Sequence, residues 1–190
     1  MFDPSRQERL AQVGNQLQLG RSLMRRLSLS VSLLCAVCVL GSHAFAQQAP
    51  PPAAPPPPYG VPITNDQAKT AAAAAIAEAK KNNLFYAVAV VEPTGDLVYF
   101  ERMDNTQYAS IKIAQARARS AALFRRPTKA FSDRVAQKND LSVFSLPDAN
   151  WSEGGVPIVV NCKLIGAIGA SGGTQPQDGQ VAKAGADAVK

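Results

Sequence analysis

A few short segments of this chain carry side chains that could do chemistry. Ser171-Gly172-Gly173 ends an apolar strand and precedes a helix, where backbone N–H groups and a hydroxyl could meet an anion, or form a simple turn. No Gly-Lys-Ser/Thr follows, which excludes a nucleotide P-loop. Gly166, Gly169 and Gly172 recur at every third position within that strand rather than after it, so they are no dinucleotide fingerprint. Glycine in a strand leaves nothing to pack and often marks the close approach of a ligand or another backbone. The repeat therefore suggests a surface that something flat approaches, or else tight packing of strands and helices. Arg102-Met103-Asp104 closes an earlier strand. Its two charges could bridge a chain reversal beside a soft thioether, or all three could be structural. Lys112, Arg119 and Arg126 lie seven apart on one helix line, fit for carboxylates or for a solvated face. Trp151 and Phe144 either cover the entrance to the glycine-rich strands or pack in their own loop.

Other chemistries are excluded by what the chain lacks. Arg21, Arg25 and Arg26, the apolar run Leu27–Leu40 and the small residues Ala44-Phe45-Ala46 have the anatomy of a secretory signal peptide over residues 1–46. The apolar run is too short to span a bilayer comfortably. Met24 is a candidate true start, and Sec and twin-arginine export both stay open. The only histidine, His43, lies in that segment, as do Cys35 and Cys38. The remainder has no imidazole and one thiol, Cys162, so a Ser-His-Asp or Cys-His triad and a histidine metal site are ruled out within one chain. Cys162 is buried as a small hydrophobe, free, or paired between chains. Residues 1–46 hold five of the 20 basic and two of the 14 acidic side chains, leaving a net charge of +3. That is too mild a balance for a nucleic-acid binder.

Positioning these groups falls to a single domain. Residues 47–62 are dominated by proline and alanine and read as a disordered tether favouring polyproline II. Residues 63–190 suffice for one core. Thr64-Asn65-Asp66-Gln67 is a capping box that opens a helix running to about Asn82. Leu84–Val91 and Leu97–Arg102 read as a hairpin, and helices follow over about Gln107–Arg125 and Thr128–Gln137. A second hairpin turns at Asn161-Cys162-Lys163, and Asp178–Lys190 closes the chain as a helix. The order α-β-β-α-α-β-β-α, with helices gathered between two hairpins, predicts an α+β domain on an antiparallel sheet.

The blocks E-x-T-G-D-L-V-Y-F-x-R-M-D, A-Q-A-R-A-R-S-A, G-G-V-P-I, I-G-A-I-G-A-S-G and Q-D, in that order, resemble the GlcG/HbpS family of haem-binding proteins, which includes the haem-degrading and PduO C-terminal type domains. The resemblance covers residues 63–190. It implies a profilin-like α+β fold, symmetric homo-oligomers, and haem or a related tetrapyrrole bound near subunit boundaries. The family pattern falls on Arg102, Met103 and Asp104; on Arg117 and Ser120, where lysine and threonine are usual; on Gly154, Gly155 and Pro157; and on Gly169, Ser171 and Gly172. These residues, Pro157 aside, form the expected ligand site. With no histidine, iron could be held only by Met103, Cys162, Tyr99, Tyr108 or a hydroxyl such as Ser120.

The functional expectation is an exported, periplasmic or secreted haem-binding protein acting as a homo-oligomer, in iron or haem handling or in redox sensing. It carries no expectation of nucleic-acid binding or stable membrane insertion, and none of catalysis. Two alternatives stand beside it. One is an accessory protein or enzyme of small organic-acid metabolism, with Asp104, Asp178 or a lysine as base. The other is a structural exported oligomer whose alanine-rich helices pack between subunits.

Overall fold

The helix expected after Thr64 forms as α1, Asn65–Lys81. Its capping box is complete: the Gln67 N–H donates to Thr64 Oγ1 (3.3 Å) and the Thr64 N–H to Gln67 Oε1 (3.1 Å). This computed structural model describes residues 55–190, so the expected signal peptide and the first part of the expected tether lie outside the described residues. Strands β1 (Ala87–Val91) and β2 (Leu97–Arg102) form the first hairpin. Helices α2 (Ala109–Phe124) and α3 (Lys129–Lys138) and a 3₁₀ turn at Leu141–Ser145 follow. Strands β3 (Gly155–Val160) and β4 (Lys163–Ser171) and helix α4 (Gln175–Asp187) complete the domain. The predicted element order and α+β class are those observed.

All strand pairings are antiparallel, in the order β2-β1-β4-β3. Alternation along β1 distributes the core. Val88 and Val90 face a cluster with Ala72, Ala75 and Ile76 of α1 and Val181 and Ala182 of α4. Ala87, Ala89 and Val91 face Ala114, Ala118, Ala121 and Ala122 of α2 on the other side. Small side chains on both partners let α2 lie close to the sheet.

Two glycines bring it closer still. Gly155 and Gly169 are cross-strand partners. A Cβ at Gly169 would run into the Ala114 carbonyl oxygen, and one at Gly155 into that of Arg117. The backbone of α2 therefore rests on bare strand backbone, which is why glycine stands there. The same holds of Gly166 under Val91 and Ile63, and of Gly172 under Phe85 and Tyr86. This corrects the expectation that the repeat clears a face for a flat guest: the cleared space is filled by the chain itself.

Two further readings change. α4 starts at Gln175, not Asp178, because Thr174 and Gln177 act as a second cap, with the Thr174 N–H donating to Gln177 Oε1 (2.9 Å) and Pro176 suited to the first turn. The last stretch of the expected tether is also docked rather than free. β1 ends opposite Ala167, leaving the start of β4 with an open edge. Leu164 donates to the Pro58 carbonyl (2.9 Å), Gly60 to the Leu164 carbonyl (2.7 Å) and Ile63 to that of Ile165 (2.7 Å). Proline has no N–H to give, but its carbonyl still serves this edge. Arg125 stacks over the Tyr59 ring, 5.0 Å from its centroid, and fixes the segment from the other side.

Candidate functional site

The expected site residues do not converge on one open cleft. Arg117, on the buried face of α2, sits under the ends of β3 and β4 and is only 4% exposed. Its Nη1 donates to Asp178 Oδ2 (2.6 Å) and to the Ala170 carbonyl (2.7 Å), and its Nε to Ser152 Oγ (3.1 Å). Asp178, in the first turn of α4, accepts on its other oxygen from the backbone N–H groups of Gly172 (3.1 Å) and Gly173 (2.9 Å). Gly154, at φ 130°, packs against this pair, since a Cβ there would meet the Ala170 carbonyl, Arg117 Nη1 and Asp178 Cβ. The N–H groups expected to await an anion are thus already donated to Asp178. The pair anchors α2, β4 and α4 to one another.

Met103 carries the next link. Its backbone N–H donates to the Tyr86 carbonyl (2.9 Å), and its Sδ accepts from the Tyr86 N–H (3.4 Å). Tyr86 is fully buried, with its hydroxyl against Gly173. That hydroxyl lies near enough to Asp178 to feel the carboxylate, yet among the described residues it finds no hydrogen-bond partner. Burial first, and the Asp178 charge second, push its pKa well above the ordinary tyrosine value.

Arg102 is exposed and stacks over Tyr108, 5.3 Å from the ring centroid. Among the described residues no ion pair joins Arg102 to the exposed Asp104. Ser171 Oγ donates to Ser110 Oγ (3.1 Å), tying β4 to the start of α2. Ser120 accepts from the Asn150 N–H (2.9 Å) and holds the loop before β3. Arg119 of the basic stripe bonds Asp148 (3.2 Å), while Lys112 and Arg126 stay exposed. Phe144 and Trp151 pack edge to face, 4.7 Å between centroids, and remain half exposed. Cys162 is exposed rather than buried.

An open concavity lies beside β3. It has a volume of about 660 Å³, is walled by Val156, Pro157 and Val159 on one side and Ala186 and Val189 on the other, and includes Gly154 and Gly155. Lys129, Glu153, Lys183 and Asp187 stand around it. Lys129 bonds Asp133 (2.6 Å) and Lys183 bonds Asp187. Its hydrogen bond to the Asp133 carboxylate, and the charges of Asp133 and Glu153, raise the Lys129 pKa, so its ammonium stays charged.

The strand edge beside this groove is poor in free polar groups. The Gly154 carbonyl accepts from the Ala170 N–H, so Gly154 faces β4 and Gly155 faces outward. Thr128 meets Gly155 with both a donor (3.0 Å) and an acceptor (2.9 Å). Pro157, two residues on and turned the same way, has no N–H, and the register breaks between Ile158 and Val159. Such an edge resists the addition of another strand. The groove has an apolar wall and a margin that carries charges of both signs.

Sequence reasoning found Gly154 and Gly155 but missed the groove. Lys129, Glu153 and Lys183 come from three separate segments, and the signal that could have paired two of them is Gly179. A Cβ at Gly179 would collide with the Glu153 carboxylate, so this glycine seats Glu153 on α4.

A family model described as haem-degrading protein HbpS-like matches residues 63–187. Protein GlcG of Escherichia coli (strain K12) is 42% identical over 112 residues, which is 58% of this chain and 82% of that protein. The crystal structure of HbpS has a TM-score of 0.63 at 29% identity, over 69% of this chain and 92% of that one. The PduOC:heme complex has a TM-score of 0.62 at 23% identity, over 68% and 96% of the two chains, a likeness that speaks for the fold alone. The chain belongs to the HbpS-like family.

Proposed function

We propose that this chain is exported through its N-terminal segment and binds haem or a related tetrapyrrole in the groove between β3 and α4, as a homo-oligomer engaged in iron or haem handling or in redox sensing. The observation that carries the reading is the groove itself: about 660 Å³, within the size range of small-molecule sites, with apolar walls and, at its margin, the ammonium groups of Lys129 and Lys183 beside the carboxylates of Glu153 and Asp187. A tetrapyrrole is a flat apolar ring with acid groups on one side, and these surfaces complement it. Membership of a family described as haem-degrading supports the ligand class. Bound haem would supply a redox-active iron. The chain's part is to hold the ring and keep its charged groups at the margin.

Asp178, one of the candidate bases, is taken up by Arg117 and two backbone N–H groups. The small organic-acid reading keeps its interest through the GlcG relatives. The Ser171 loop that would have served it has its Gly172 and Gly173 N–H groups committed.

Titration of the mature protein with hemin tests the proposal. A Soret shift saturating near one ligand per chain at micromolar concentration is expected, with Val156→Glu weakening it by about tenfold or more. Absence of binding sinks the reading. So does self-association, seen by light scattering, that Val159→Glu abolishes while hemin binding is unaffected, because a second copy would then own the groove.

A further inference from the structure

The groove suits the ring and its acids far better than it suits the metal. None of its lining residues is a histidine, cysteine, methionine or tyrosine, the side chains that commonly bind haem iron. The remaining candidates in the described residues are held elsewhere. Met103 Sδ is bonded to the Tyr86 N–H, and Cys162 sits exposed in the β3–β4 turn. Tyr59 lies under Arg125 and Tyr108 under Arg102, Tyr99 donates to Glu101 (3.3 Å), and Tyr86 is buried beneath Gly173. Of the oxygen donors at the margin, Asp187 is bonded to Lys183 and the Glu153 carboxylate lies against Gly179 of α4.

Lys129 and Lys183 are differently placed. Each ammonium has three donors, and each contributes to one intrahelical pair four residues along, with Asp133 and with Asp187. Their side chains are about half and two-thirds exposed. Donors on both therefore remain for an incoming carboxylate, without either existing pair being broken.

We infer that the chain recognises its tetrapyrrole independently of the metal, through the apolar ring and two carboxylates that Lys129 and Lys183 receive. The inference rests on the proposed function and specifies how that site works. It predicts that metal-free, zinc-loaded and iron-loaded rings are interchangeable ligands, which suits a carrier that takes the porphyrin whether or not it holds iron.

The test compares hemin, metal-free protoporphyrin IX and protoporphyrin IX dimethyl ester on the mature chain. Quenching of Trp151, the chain's single tryptophan, gives the readout. Hemin and protoporphyrin IX are expected to bind within about threefold of each other, and the ester about tenfold or more weaker. Replacing both lysines (Lys129→Ala with Lys183→Ala) should weaken the two diacids to about the level of the ester, leaving the ester itself unchanged. Hemin binding at least about tenfold tighter than protoporphyrin IX overturns the inference while leaving the proposed function standing. A ferric-haem spectrum that changes with Glu153→Gln, marking an axial carboxylate, does the same. Failure of all three rings to bind sinks the proposed function itself.

Discussion

Arg117 on α2 and Asp178 on α4 lie 61 residues apart in sequence, yet Nη1 and Oδ2 are 2.6 Å apart with both side chains almost wholly buried. Asp178 also gathers the N–H groups of Gly172 and Gly173, and Arg117 the Ala170 carbonyl, so the two charges sit within a satisfied network. Buried pairs of this kind add little over an apolar substitute, but removing one partner strands the other.

Arg117→Ala or Asp178→Asn should therefore each destabilise the domain by about 3–5 kcal/mol. Arg117→Lys, the residue more usual at this place in the resembling family, should cost less. It keeps the charge, but an ammonium on a differently shaped stem cannot reach Asp178, Ala170 and Ser152 together with the fork geometry of a guanidinium. Urea denaturation of the three variants gives the ranking. A lysine variant as unstable as the alanine variant would show that geometry, not charge, dominates.

Tyr86 presents the opposite case, a buried hydroxyl with no hydrogen-bond partner among the described residues. Tyr86→Phe should leave stability at pH 7 unchanged or raise it by about 1–2 kcal/mol, since it removes an unsatisfied polar atom and keeps the ring. The pH dependence follows from the raised pKa. The folded state holds the phenol neutral above pH 10, where the unfolded chain's phenol ionises, so the native state binds the extra proton. Stability from this group is complete below about pH 10 and is lost as pH rises from there toward the folded value. The alkaline limb of the stability profile should flatten in Tyr86→Phe relative to the parent, and equal slopes would refute the assignment.

Much of the fold was legible because its signals are local. Thr64 and Gln67 announce α1, and Pro93 and Gly95 mark the first turn. The Asn161-Cys162 pair marks the second, each within a few residues. What was illegible depends on approach between distant segments. Gly169 looked like cleared space because a sequence does not say what lies above a strand, and the Ala114–Ala118 stretch of α2 fills it. The partner of Arg117 was equally hidden, although Asp178 had been singled out. The groove beside β3 joins residues from the α2–α3 junction, β3 and α4, whose side chains taken singly look like ordinary surface.

Gly169→Ala tests the packing half of that statement. The added methyl meets the carbonyl of Ala114 and the backbone N of Ala118, which cannot swing away as a side chain could. A loss of about 1–3 kcal/mol or more is expected from the forced shift of α2. A neutral Gly169→Ala, measured by thermal and chemical unfolding, would mean that α2 is looser on the sheet than its geometry indicates.

Asp140 contributes to the acid limb. Ser142 donates to it through both N–H (3.0 Å) and hydroxyl (2.6 Å), and Arg134 grips its other oxygen through two nitrogens (2.9 and 2.6 Å). The Ser142 and Arg134 hydrogen bonds, in that order, hold its pKa at about 2, against the usual 3.8. A depressed carboxylate contributes stability that is present above the unfolded value and fades as pH falls through the folded one. Asp140→Asn should thus reduce the loss of stability between about pH 4 and pH 2, and NMR titration of the parent should show this carboxyl ionised at pH 3.

Cys162 offers a prediction of opposite sign. It and Asn161 form the two-residue turn between β3 and β4, both in the left-handed region at φ 60° and 49°. Turns of this shape favour an Asn-Gly pair, because a side chain at the second position is strained there and glycine is not. The thiol is free and exposed. Relief of left-handed strain, about 1–2 kcal/mol for an ordinary residue, exceeds the extra freedom that glycine gives the unfolded chain, about 0.4–1 kcal/mol. Cys162→Gly should then stabilise the domain by roughly 0.5–1 kcal/mol in reducing buffer. A destabilised variant would mean that the thiol has a partner in the assembled protein, and non-reducing electrophoresis of the parent would show whether that partner is a second Cys162.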